Sequence, residues 1–433
     1  MIQVKHVICT FFGLVFMVLF TPLHAQTSTS SAYSKFGLGE LHGDQLPQLR
    51  GMGGISTGIR SLGAYYDINV SNPASYSAIR LTAIDIGVSG NYGSMSRGDT
   101  KQNNANFSLD HINFAIPVSK KSALSFGLLP YSSVGYRYSE VGSLDTIPIT
   151  NVYSGEGGIS KAYLGYGIQF GKHFSIGFNA NYLFGKIKAN KEAQFPISAG
   201  ALNSKIENSK AINGLAIDYG IQYSSLLSDD LALVVGYAGN AGGKLDLEES
   251  EVAFRTFGSS TGESENTALD SIVFTEQDPM KLTMPMTHKF GISFNKRNKW
   301  TVGADVHYTN WETYREGDYN PGLQNNIGIA LGGQLVPDIT SVKYFNLIDY
   351  RLGLKYDKTF IAISGNDVKE RGVTLGLGFP LPSNRGSSFY KINFAAEFMQ
   401  RGSSDNGLIK EQFINFHLGF TLNDRWFRRY QYD

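Results

Sequence analysis

Residues 173–185 read HFSIGFNANYLFG. Phe174, Ile176, Phe178, Ala180, Tyr182 and Phe184 fall on one face of an extended chain, and Ser175, Gly177, Asn179 and Asn181 on the other. That period of two is a strand signal, because a helix would scatter both sets around its circumference. The unusual part is the polar face, which carries Gly, Ser and Asn where the outer face of a soluble sandwich carries charge. The pattern returns in KAYLGYGIQF (161–170), GLAIDYGIQY (214–223), HKFGISF (288–294), KWTVGADVHY (299–308), GVTLGLGFPL (372–381) and FINFHLGFTL (413–422).

The ends and the composition narrow the setting. Lys5 and His6 precede an apolar run, Val7–Leu23, and Ala25 stands at a cleavage point, so residues 1–25 are expected to be a secretory signal peptide. A transmembrane anchor is the alternative, and Leu23 is bulky for the cleavage motif. Cleavage would remove Cys9, the only cysteine, and with it disulfides, thiol catalysis and cysteine-ligated metal. It would also remove Lys5 and leave a formally neutral chain, which argues against nucleic acid as a partner. Beyond the signal no run of 18 apolar residues exists, so helical membrane spans are excluded. An exported chain with 49 glycines, 13% aromatics and only 17% charged residues fits an all-β transmembrane β-barrel, which places it in the outer membrane against lipid.

About fourteen alternating runs lie between residues 81 and 422, starting near 82, 106, 122, 158, 173, 211, 230, 285, 299, 325, 347, 367, 388 and 411. The connections VSKKS, GKH, LLSDD and NKRNK are tight, as periplasmic turns should be. Long outer loops are expected at 93–105, 138–157, 187–210, 239–284 and 311–324. The loop at 239–284 gathers Asp246, Glu248, Glu249, Glu251, Glu263, Glu265, Asp270, Glu276 and Asp278. It reads either as a divalent-cation site or as a loop kept soluble by charge, and no EF-hand spacing occurs. Residues 26–80 are glycine-rich without sustained alternation, and are read as a hatch or plug packed inside the wall.

Four short stretches carry a family resemblance: RGMGGIS (50–56), SNPASYS (71–77), GLLPYSSVGY (127–136) and YRLGLKY (350–356). Together they resemble the FadL/TodX family of outer-membrane transporters of hydrophobic compounds. The wording AYSKFGLGEL (32–41) followed by RGMGG is similar to a Bacteroidota-type branch that also includes PorV-like carriers of secreted proteins. The resemblance implies a 14-stranded barrel, an N-terminal hatch bearing the NPA motif as Asn72, Pro73 and Ala74, and a kinked third strand. Through that kink an apolar, fatty-acid-like ligand would leave sideways into the membrane. Physically, Pro130 removes one ladder donor in the third run, and Ser132, Ser133 and Gly135 follow it. Pro130–Gly135 is therefore the candidate lateral gate, the alternative being that Pro130 marks where the strand leaves the membrane.

No cofactor or metal is implied. His111, His307 and His417 lie on inner faces of different strands without ligand spacing, and a hydrogen-bonded lumen role suits them better. Asp218, Asp305 and Glu397 also point inward, where ion pairs with Lys289, Arg351 or Lys391 would explain them. No GxSxG motif or triad spacing appears, so an enzyme is not expected. The C-terminal tail, 423–433, interleaves Arg425, Arg428 and Arg429 with Trp426, Phe427 and Tyr430. It fits either an interfacial anchor or a dock for an outer-membrane or periplasmic protein. The expected function is passive uptake of hydrophobic, fatty-acid-like small molecules with lateral exit at the third strand; the alternative, which the mostly small and polar inner faces favour, is a non-transporting barrel that serves as subunit or cargo carrier in an outer-membrane secretion or assembly complex.

Overall fold

The computed structural model describes residues 29–426 apart from 64, 99, 146, 197–200, 257–269, 383–387 and 406, so the expected signal peptide and residues 427–433 of the tail lie outside the described residues. In chain order the strands are β1 (Glu40–Leu41), β2 (Thr82–Arg97), β3 (Thr100–Ser119), β4 (Ser122–Leu144), β5 (Ile147–Phe170), β6 (Phe174–Gln194) and β7 (Asn203–Leu226). They continue as β8 (Leu231–Asn240), β9 (Gly243–Thr256), β10 (Asp270–Glu276), β11 (Met280–Met284), β12 (Thr287–Lys296) and β13 (Trp300–Thr309). The last are β14 (Arg315–Glu316), β15 (Asn326–Leu335), β16 (Asp349–Ile363), β17 (Asn366–Leu381), β18 (Phe389–Arg401) and β19 (Lys410–Asp424).

Fourteen of these, β2–β8, β12, β13 and β15–β19, form one antiparallel wall. β19 pairs back onto β2 from Lys410↔Ser96 to Asp424↔Thr82, which closes it. β8 pairs directly with β12, so β9–β11 stand as an insertion on the outer side. The opening stretch shows why the wall suits lipid. Phe174, Ile176, Phe178 and Tyr182 stay 42–55% exposed on the outside, while Ser175 and Asn179 are fully buried within. No described helix is long and apolar enough to cross a membrane; the strands cross instead, satisfying their backbone through their neighbours except where β3 and β4 part beyond Ile112↔Leu128.

The expected outer loops at 93–105, 138–157 and 187–210 are corrected. They are mostly strand: β2 and β3 run on to Arg97↔Thr100, β4 and β5 to Leu144↔Ile147, and β6 and β7 pair as far as Ala193↔Ser204. Above the bilayer no lipid enforces an apolar outer face, so the alternation fades while the ladder continues.

Residues 29–80 pack inside the wall, around a one-turn helix at Pro47–Arg50 and 3₁₀ turns at Ala32–Lys35 and Pro73–Ala78. The inward glycines, which read as lumen lining, act here as a track for this segment. A Cβ at Gly332 or Gly353 would strike the backbone of Met52 or Gly53, and one at Gly291 or Gly376 would come within 2.5–2.9 Å of Gly58 or Gly51. Gly177 and Gly236 meet Pro73 and Thr57 in the same way. Inward glycines on these strands let backbone lie on backbone.

Apolar clusters fill the lumen at two levels. Toward the tight turns, Leu46, Ile68, Val70, Tyr76 and Ile79 form one cluster with wall residues, and Leu49, Met52, Ile55, Ile59 and Leu62 another. Toward the outer end, Leu183, Leu245, Leu282, Trp311, Tyr314 and Phe360 belong to a third, with Trp311 stacked on Phe360 at 4.3 Å.

Candidate functional site

The third barrel strand, β4, decides the site. Its ladder with β3 runs from Ser119↔Ser122 to Ile112↔Leu128, and beyond that no pair joins the two strands among the described residues. β3 continues along β2 to Arg97↔Thr100, and β4 continues along β5 to Leu144↔Ile147. The wall therefore splits between Thr100–His111 and Leu129 onward, with Pro130 at the break and a bulge between Pro130 and Ser132 in the ladder to β5. A proline has no amide to offer the ladder, so the neighbouring strand loses its register there.

Residues 29–42 occupy the split. Glu40 and Leu41 pair with Ser133 and Ser132 as a short strand, and His42 donates its amide to Tyr131 O at 2.9 Å. Ser31 N donates to Gly135 O at 2.9 Å, and Gly135 N donates to Ser34 Oγ at 3.0 Å. On the β3 side Asn104 Nδ2 donates to Ser30 O at 2.7 Å. The four residues expected at the gate thus lie together: Gly135 uses both backbone groups on this segment, Ser133 adds a hydroxyl contact to His42 Nε2 at 2.8 Å, Ser132 contributes its backbone, and Pro130 marks the break.

An ion cluster holds the segment from behind, and the sequence reading missed it. Arg401 on β18 reaches Glu40 at 2.7 Å, Glu370 at 2.7 Å and Glu411 at 3.4 Å. Glu411 also accepts from Ser31 Oγ and Ala32 N at 2.9 Å, and Thr29 bonds Glu40. The Arg401 guanidinium and the Thr29 hydroxyl together neutralise and hydrogen-bond the buried Glu40 carboxylate. Arg401 carried no motif; only its inward place at a strand end, three strands away by closure, connects it to the split.

The NPA turn lies deeper. Asn72 is fully buried, accepts from Ala74 N at 3.2 Å and donates to Thr57 O at 2.7 Å, while Pro73 rests on Gly177. Asp305 fixes the neighbouring turn, accepting the amides of Ser56 and Thr57 at 2.7 Å each, where an ion pair had been expected. Replacing Asn72 with Ala should loosen residues 56–59 and 72–76. Losing the cap and the second hydrogen bond costs about 1–3 kcal/mol, so amide exchange there should rise about 10-fold or more. Unchanged protection would contradict that.

Between the apolar clusters lies a cavity of ≈ 450 Å³ lined by Asp44, Lys161, Asp218, Lys289, Lys355 and Glu397 among others. Lys161 pairs with Asp44 and, at 4.0 Å, with Asp218; Lys355 pairs with Glu397 at 3.4 Å. Of the inward histidines, His111 bridges Asp85 at 2.6 Å and Asp110 at 2.8 Å, and His307 meets Asp357 at 2.8 Å. His417 sits 3.4 Å from Glu397. No group of three metal-ligating side chains occurs among the described residues, and in the acidic insertion Asp246 and Glu249 pair with Lys281 and Lys210. Of the tail, β19 ends at Asp424 and only Arg425 and Trp426 are described beyond it.

A family model described as BamG matches residues 3–433. The chain belongs to the BamG family. Solved structures show the company its fold keeps. A Pseudomonas aeruginosa FadL homologue is 10% identical with a TM-score of 0.59, over 90% of this chain and 100% of its own. The Pseudomonas putida toluene transporter TodX is 14% identical with a TM-score of 0.56, over 90% and 100%. The Ralstonia pickettii toluene transporter TbuX is 13% identical with a TM-score of 0.56, over 88% and 98%. No curated protein matches. This member of the BamG family is thus an outer-membrane barrel of the FadL-like fold, and the neighbours named are transporters and a FadL homologue rather than enzymes.

Proposed function

We propose that this chain works as a closed barrel, a subunit of an outer-membrane protein assembly rather than a conduit. The observation that carries this reading is the lumen, where apolar clusters lie at two levels and the cavity between, lined in larger part by apolar atoms, also holds Asp44, Lys161, Asp218, Lys289, Lys355 and Glu397. An acyl chain passing it would lie against charged as well as apolar groups, forfeiting part of the roughly 0.8 kcal/mol that each methylene gains from apolar burial. The split in the wall is already filled by residues 29–42 and latched by Arg401. A filled, latched barrel still offers the sheet that β4 to β7, β9 and β10 extend beyond the wall as a surface for a partner.

The β3–β4 split favours a second reading, passive uptake of hydrophobic compounds with lateral exit past Pro130. Several neighbours of this fold are named as toluene transporters or monoaromatic hydrocarbon channels. That route requires residues 29–42 to withdraw.

A native mass spectrum of the protein extracted from its own outer membrane in mild detergent separates the two. The assembly reading expects a stoichiometric protein companion and no small adduct. A barrel carrying fatty acids or similar apolar molecules, with no companion, would overturn it.

A further inference from the structure

We propose that β10 is a docking edge for an extended, basic segment of another protein outside the membrane. The inference builds on the assembly reading and names a surface for it. Above the bilayer β4, β5, β6, β7, β9 and β10 continue as an open sheet. β10 ends it: its ladder runs along β9 from Asp270↔Arg255 to Glu276↔Ser250, and no strand pairs with its other edge among the described residues. Gln277 donates its amide to Glu249 O at 3.0 Å, so by strand alternation Phe274 and Glu276 turn their N–H and C=O groups to the open edge.

Such an edge is normally protected by Lys, Pro or brevity. Here Ile272, Val273 and Phe274 are consecutive and 46–63% exposed, apolar on both faces. Among the described residues this edge carries a bulge between Ser271 and Val273 and the charged Glu276, but no Lys or Pro within the strand. The surroundings state the partner's charge. Glu248, Glu251, Glu276 and Asp278 are exposed, make no ion pair among the described residues and outnumber the exposed Lys244 and Arg255 on β9, while Asp246 and Glu249 nearby are paired. An added strand alternating β-branched or aromatic residues with Lys or Arg would cover the apolar side chains, complete the ladder and neutralise the rim.

The test uses the full chain in nanodiscs and a labelled peptide of about ten residues alternating Val and Lys. Binding is expected, at least tenfold weaker when alternate peptide amides are N-methylated and at least tenfold weaker in Glu276→Pro. That proline lies where the amide faces away from β9, so the sheet should persist; circular dichroism and the β9 amide exchange check it. The charge-only variant Glu276→Gln should weaken binding less than the proline does. No binding, or binding indifferent to both N-methylation and Glu276→Pro, would overturn the proposal. So would concentration-dependent self-association abolished by Glu276→Pro, which would assign the edge to a second copy. A protein companion in the native spectrum without peptide binding rejects this edge and leaves the assembly reading standing; peptide binding without a companion does the reverse.

Discussion

Replacing Arg401 with alanine is expected to release residues 29–42 from the wall while the barrel stays folded. The guanidinium faces Glu40, Glu370 and Glu411 with only 12% of its side chain exposed. Removing it leaves three carboxylates close together, Glu40 and Glu411 without their cation and Glu370 with Lys355 at 3.9 Å, and breaking a buried pair costs about 3–5 kcal/mol. The weakest consequence is departure of the one element not built into the wall, the segment carrying Glu40. Amide exchange over residues 31–42 should therefore rise by at least about 100-fold, with the strands from β5 to β8 unchanged. Arg401→Lys keeps the charge but loses the fork and should fall between. Unaltered exchange in Arg401→Ala would mean that backbone pairing with β4 alone holds the segment.

The second large effect belongs to Gly353. A side chain there would point inward onto Met52 and Gly53, whose Cα would lie 2.6 Å from the new Cβ. The neighbours Leu352 and Leu354 face lipid, so the wall tolerates Gly353→Val and the inner segment does not. Overpacking of this kind costs about 1–3 kcal/mol, more where the opposing atoms are backbone. Exchange across residues 51–59 should rise about 10- to 100-fold, and the purified protein in planar bilayers should gain ion conductance. Gly142→Ala meets only Asn151 Nδ2 at 3.8 Å and should change neither. A Gly353→Val barrel as tight as the parent would show that the inner segment is carried elsewhere.

Much of this was legible before the structure because lipid imposes a period of two that no other solvent imposes so strictly. Phe174 to Phe184 announce their face, and Pro130 announces a defect in the ladder. What the alternation could not carry lies where lipid is absent. Residues 138–144 and 147–157 continue as paired strand outside the membrane, although nothing there demands alternation. The glycines of the inner face read equally as polar lining or as room for a backbone, because a missing side chain does not say what occupies its place. Arg401 and Glu40 stand 361 residues apart, and only barrel closure brings them together.

The central claim is that residues 29–42 keep the split closed. Spin labels on exposed Lys101 and Ser139, on the β3 and β4 sides of the split, measure it directly in lipid nanodiscs. The account predicts one narrow distance distribution, unchanged by added long-chain fatty acid or toluene. A second, wider population that grows with either compound would contradict it and restore the lateral route as the working state.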